Sequence, residues 1–212
     1  MKLYISMSTS IRNAMKRDND ALYTPKILVD VIIPFVENYV SKYYSNWTSG
    51  KPTFRIWCPF DKENSEFVIA LKEKFKGSVE IIHSHISEPE GDFFEKIETI
   101  GHVDLVLSNP PFSRKLDIIK TLNNYDITWC LCMNLESLNY QVMGNYFADY
   151  PISLIIPDKK ISFDGKCSSF NTSYFCSPNF LADDCSPTVK FVHCEHNNQG
   201  KYFVPSRMYE LN

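Results

Sequence analysis

The sequence predicts an α/β fold with a mostly parallel sheet flanked by helices, and three observations carry that expectation. From Phe54 onward, short apolar runs alternate with amphipathic segments, the signature of strands and helices following one another. Ahead of them, Thr24-Pro25 introduces a segment whose apolar residues recur at helical spacing. The chain has 212 residues, 44% of them hydrophobic and 22% charged, which suits one domain with a continuous core and excludes a disordered chain.

Taken in order, residues 1–22 are polar, carry Arg12, Lys16 and Arg17, and place Ile11 and Met15 four apart on a short helix. They read as a mobile lid. At Thr24 the hydroxyl is suited to cap free amides, and proline loses nothing at the first helical position. The helix is expected to run toward Tyr44 and to bury Ile27, Leu28, Val31, Ile32, Phe35, Val36 and Tyr39, with a kink or interruption at Pro34. Residues 45–52 read as a loop. Strands are then expected at 54–57, 79–83, 103–107, 128–133 and 152–156, with helices at 65–75 and 114–122. The Asp164-Gly165 turn separates residues 159–163 from the aromatic stretch 170–175, which predicts a small hairpin appendage over 157–180. Residues 197–200 read as a turn. No repeat or second-domain signal interrupts 1–212.

Composition bounds the function. The net charge of -3 argues against a uniformly basic coat for DNA, although an enzyme acting on nucleic acid needs only a local basic surface. No apolar run near the start has the length of a signal peptide or membrane span, so a cytoplasmic protein with no membrane partner is expected. The seven cysteines include no Cys-x-x-Cys pair, which predicts reduced thiols. Cys130-x-Cys132 and His193-Cys194-x-His196 lack partners at zinc spacing, so no metal is expected. No phosphate-cradling glycine loop is present, and nothing marks an obligate protein partner.

The most informative stretch is the apolar run Val103-Asp104-Leu105-Val106-Leu107, which passes into Ser108-Asn109-Pro110-Pro111-Phe112-Ser113. Ligands of parallel sheets gather outside the carboxyl ends of the strands, so this exit is expected at an active edge. The Asn109 side-chain oxygen and the Pro110 carbonyl are suited to accept the two hydrogens of an aromatic amine, turning its lone pair toward an electrophilic methyl. Pro110 and Pro111 stiffen the backbone, and Phe112 offers a ring for stacking. The plain alternative is a proline-stiffened strand exit with Asn109 capping a turn.

This Asn-Pro-Pro-Phe segment resembles motif IV of the amino-methyltransferases, and the chain as a whole resembles a small phage-type adenine-specific DNA methyltransferase. The resemblance implies a Rossmann-like, seven-stranded, S-adenosylmethionine-dependent methyltransferase fold with one antiparallel strand near the carboxyl end. It also implies methylation of N6 of adenine in DNA on a flipped base. Related motifs serve enzymes that modify RNA or protein glutamine. A non-catalytic donor-binding module is a further alternative.

Tyr23-Thr24-Pro25 resembles motif X, where a helix start holds the methionine end of the donor. Trp57-Cys58-Pro59-Phe60-Asp61 resembles motif I without its glycines, in the Cys-Pro-Phe-Asp-x-x-x-Ser-Glu-Phe form that continues through Ser65. Asp61 is either an acceptor for the donor ammonium or a loop acid, and Ser65 either a donor contact or a cap. His83 and Ser84 end the second strand, where the family places a ribose-binding acid. Gly91-Asp92-Phe93-Phe94 resembles motif III, which assigns Asp92 to the donor adenine and Phe93 to packing beside it. Asn109 also faces the donor in this reading. On the DNA side, Phe112, Ser113, Lys160, Phe170 and Tyr174 are the candidate contacts, because cations, short polar groups and aromatics suit phosphate anchoring and base stacking.

Overall fold

Helix α1, Lys26–Ser45, opens the part of the chain described by the computed structural model, which covers residues 24–45, 53–161, 163, 171–196, 202–203 and 208–209. Tyr23, Phe170, the lid over 1–22 and the Asp164-Gly165 turn lie outside the described residues. The helix runs unbroken through Pro34. That proline sits on the exposed face, where the carbonyl one turn back can turn to water, so the expected interruption does not occur. Its buried face carries Leu28, Val31, Ile32, Val36 and Val40.

Strand and helix then alternate as β1 (Phe54–Cys58), α2 (Glu66–Phe75), β2 (Val79–His83), α3 (Phe93–Lys96), β3 (Leu105–Ser108), α4 (Lys115–Asn124), β4 (Trp129–Asn134), α5 (Gln141–Asp149) and β5 (Ser153–Pro157). After these come β6 (Thr172–Cys176), β7 (Val189–Val192) and the two-residue strands β8 (Glu195–His196), β9 (Tyr202–Phe203) and β10 (Met208–Tyr209). Ser65 caps α2 through its hydroxyl, which accepts from the Val68 amide at 3.3 Å.

One eight-stranded sheet has the order β10-β7-β5-β6-β4-β3-β1-β2, and β8 pairs with β9 apart from it. The neighbours β2, β1, β3 and β4 are parallel, as are β5 and β7, whereas β6 runs against both β4 and β5 and β10 against β7. The architecture is therefore α/β with a mostly parallel sheet flanked by helices, compatible with a Rossmann-like fold. Both faces are covered. Leu105, Leu107, Cys130, Cys132 and Tyr174 face α1 and α2, while Trp57, Val106, Trp129, Leu131 and Phe175 face α3, α4 and α5. Burying both faces makes the sheet the centre of the core.

The expected hairpin over 157–180 is corrected. Its second half is β6, a central strand buried along its whole length, and its partners are β4 and β5 rather than residues 159–163. The reason is long-range: the β4 edge left open beside β5 is filled by a strand arriving from the opposite direction. Tyr174 lies inside this core and its hydroxyl donates to the Leu28 carbonyl at 2.7 Å.

The turn between β2 and α3 needs glycine for lack of room. A Cβ on Gly91 would stand 1.9 Å from the His85 carbonyl oxygen, so the backbone must shift to admit one. Gly91→Ala is expected to cost about 1–3 kcal/mol or more, read as a lower urea midpoint with unchanged slope. An unchanged midpoint would show that the turn yields freely.

Candidate active site

The sheet reverses its winding at β1. From β1 the chain passes through α2 to β2 on one side, then returns to β3 on the other, so β1 and β3 bound a topological switch point. The loops leaving their carboxyl ends flank the crevice where such sheets bind ligands. One loop is Pro59-Phe60-Asp61 and the other is Asn109-Pro110-Pro111-Phe112, and the two are joined.

The join is made by Ser108, the last residue of β3. Its buried hydroxyl accepts from the Phe60 amide at 3.3 Å and donates to the Asp61 carboxylate. Ser65 also hydrogen-bonds Asp61, which ties the loop to the start of α2. The other side of the loop is fastened to β2. The Ser84 amide donates to the Cys58 carbonyl at 3.1 Å, and the Trp57 indole donates to the Ser84 hydroxyl at 3.1 Å.

Asp61 is only 6% exposed, and burial lifts its carboxyl from 3.8 to about 6 against the opposing effects of Ser108, Ser65 and His83. A carboxyl whose folded pKa is raised stabilises the protein fully below its unfolded pKa, and that contribution is lost as pH rises through the folded value. Stability should therefore fall by up to about 3 kcal/mol between pH 4 and 7 from this group alone. In Asp61→Asn that component of the pH dependence is expected to vanish, as measured by urea unfolding across the interval. An identical pH profile in the variant would contradict the assignment.

Along the second loop, Asn109 is half-buried, Pro110 buried, Pro111 and Phe112 half-buried and Ser113 exposed. A 3-10 turn, Phe112–Arg114, leads from it into α4. Lys115 places its ammonium 5.1 Å from the Phe112 ring centroid and donates to buried Ser137 at 2.7 Å. Arg114 lies 4.7 Å over the Phe94 ring and pairs with Asp117 at 2.7 Å. Two cations thus steady the aromatic rings at this edge.

Not every sequence-predicted contact reaches the crevice. The side chains of Trp57, Cys58 and Phe93 are fully buried, with Trp57 and Phe93 stacked at 5.4 Å, so they support the site from the core. Ser84 is occupied as a brace between β1 and β2, and Ser65 as a helix cap. One Asp92 oxygen caps α3 by accepting from the Phe94 amide at 2.8 Å. A carboxylate has further acceptor positions, so capping does not exhaust it. His83 contacts Glu63 at 2.6 Å and has Glu88 at 4.0 Å, which brings two acids to the end of β2 although the strand itself has none there. Thr24 does not cap α1 as expected: its hydroxyl is buried beside the helix start with no hydrogen-bond partner among the described residues, and the Pro25 carbonyl receives the Leu28 amide at 2.9 Å.

Of the residues expected from the sequence to contact DNA, Lys160 is exposed beyond the carboxyl end of β5, with β6 and β4 between that strand and β3. Tyr174 is corrected from a base contact to a core residue, because β6 is internal. Ser108 is the residue that sequence reasoning missed; its only signal was a small hydroxyl closing an otherwise apolar strand. Among the described residues no group of three or more His, Cys, Asp or Glu side chains is arranged to hold a metal ion, and no helix is long and apolar enough to cross a membrane. No family model matches the chain, and no curated protein matches it.

Proposed function

We propose that the protein transfers the methyl group of S-adenosylmethionine to N6 of adenine in DNA, acting on a base turned out of the duplex. The observation that carries this reading is the Asn109-Pro110-Pro111-Phe112 loop, which leaves the buried end of β3 at the switch point and is tied through Ser108 to the loop after β1.

The donor fits the residues present in two respects. Thr24 offers a buried hydroxyl with no hydrogen-bond partner among the described residues, at the start of a long helix, a place suited to a carboxylate. Asp61 offers a buried carboxyl that a nearby cation would favour in its charged form. Thr24 and Asp61 would hold the amino-acid end, and Asp92 would accept from the adenine amine of the donor. When bound, the donor supplies an electrophilic methyl. The Asn109 oxygen and the Pro110 carbonyl accept from the substrate amine and orient its lone pair. The two prolines keep these acceptors from relaxing as charge develops. Phe112, with Lys115 against its ring, stacks on the base, and exposed Lys160 contributes positive charge for the backbone.

The test is incubation of the purified protein with labelled donor and unmodified DNA, RNA or protein extract, followed by digestion to nucleosides and amino acids. N6-methyladenine in DNA supports the proposal. Label in RNA or glutamine moves the substrate, and donor binding without transfer to any of them leaves a binding module.

A further inference from the structure

We infer that Ser108 is a positioning residue for Asn109, and that its hydroxyl makes the loop after β1 set where the Asn109 carboxamide stands. The inference rests on the proposed role of Asn109. It concerns which group holds that side chain in place.

Within the Asn109-Pro110-Pro111-Phe112 loop both prolines lack a backbone N–H. Only Asn109 and Phe112 carry backbone donors there. Ser108 is the last residue of β3 in register with β4, opposite Leu131, so the chain leaves the sheet at Asn109. At that departure point the Ser108 hydroxyl is oriented in both its roles: it accepts from the Phe60 amide at 3.3 Å and donates to the Asp61 carboxylate. Ser108 is fully buried and Asp61 nearly so, and water is not at hand to replace either bond. A hydroxyl constrained as donor and as acceptor leaves the residue little rotational freedom. The adjoining peptide of Asn109 is thereby referenced to the Pro59-Phe60-Asp61 loop, which is itself fastened to β2 through Ser84 and to α2 through Ser65.

The link also makes the Asn109 environment responsive to the charge on Asp61. The other titratable groups that act on or feel Asp61 are His83 at the end of β2, Cys58 on β1, Cys132 on β4 and Tyr174 on β6. Burial pushes the two thiols and the phenol upward, which keeps them neutral through the range where Asp61 titrates. His83 is the group to be separated from it by experiment.

Two measurements test the inference. In the first, the side-chain amide resonance of Asn109 in the full-length, isotope-labelled protein is followed by NMR from pH 4.5 to 8. It is expected to move with a midpoint near that of Asp61, about 6. The movement should persist in His83→Gln and Ser108→Thr and disappear in Asp61→Asn and Ser108→Ala. A resonance that ignores pH, or that titrates equally in Asp61→Asn, overturns the inference whether or not the protein proves to be a methyltransferase.

In the second, initial-rate kinetics of methyl transfer are compared between the native protein and the Ser108 variants. Ser108→Ala is expected to lower kcat by about a hundredfold with donor and DNA KM within about twofold, because a displacement of an ångström at the reacting group has that order of effect. Ser108→Thr, which keeps the hydroxyl, should recover most of the rate. Equal losses in both variants, or a loss confined to KM, would assign Ser108 to packing or binding and overturn the positioning role.

Discussion

Asn109→Ala is expected to lower the rate of methyl transfer by about 10²–10³-fold, the effect of removing one preorganised polar partner from a reacting centre. An aromatic amine shares its lone pair with the ring, and two acceptors at its hydrogens favour the more tetrahedral nitrogen required for attack. In the proposed mechanism Asn109 supplies one of them and the Pro110 carbonyl the other. The truncation removes the acceptor without touching the core, since Asn109 is half-buried and follows the last residue of β3. Thermal stability should therefore stay within about 1 kcal/mol of the native protein. Single-turnover rates with saturating donor separate the chemical step from binding. A variant that turns over at the native rate would remove Asn109 from the mechanism.

The second large effect is on stability. Trp57→Ala is expected to cost about 3–5 kcal/mol, the range for deleting a large aromatic from a well-packed core. The indole is fully buried on β1, stacks on Phe93 at 5.4 Å with an interplanar angle of 13°, and donates from its ring nitrogen to Ser84 at 3.1 Å. Alanine leaves a cavity under α3 and strips the Ser84 hydroxyl of its donor, and a domain of this size should then melt roughly 6–20 °C lower. Trp57→Phe should recover part of the loss by refilling the ring volume. If Trp57→Ala kept its melting temperature but lost donor affinity, the residue would be a ligand contact rather than a support. The same fastening runs from Ser84 to the Pro59-Phe60-Asp61 loop, so this variant should also loosen the site.

The sequence is most legible where a pattern is local. Apolar runs at 54–57 and 79–83 correspond to β1 and β2, and the spacing from Ile27 to Tyr39 marks the buried face of α1. Ser65 is legible as a helix cap, and it caps α2. Elements with weak periodicity escaped. Helix α5 buries only Met143, α3 has four residues, and β7 is half exposed, so each lacks a strong apolar stripe. Thr24 misled in a different way: Thr-Pro is a common cap, yet here the hydroxyl is buried with no partner among the described residues while the backbone of Pro25 starts the helix.

By itself, then, the sequence determined the α/β class, the two-sided burial of the strands and the identity of the loop at the end of β3, because residue spacing and proline chemistry act within a few neighbours. Only the tertiary structure decided which strand ends meet. It set β1 beside β3, so that Asp61 and Ser108, 47 residues apart, share a hydrogen bond. It also drew β6 into the middle of the sheet and Tyr174 into the core. These outcomes follow from filling an open sheet edge and satisfying buried polar groups, requirements that act between distant parts of the chain.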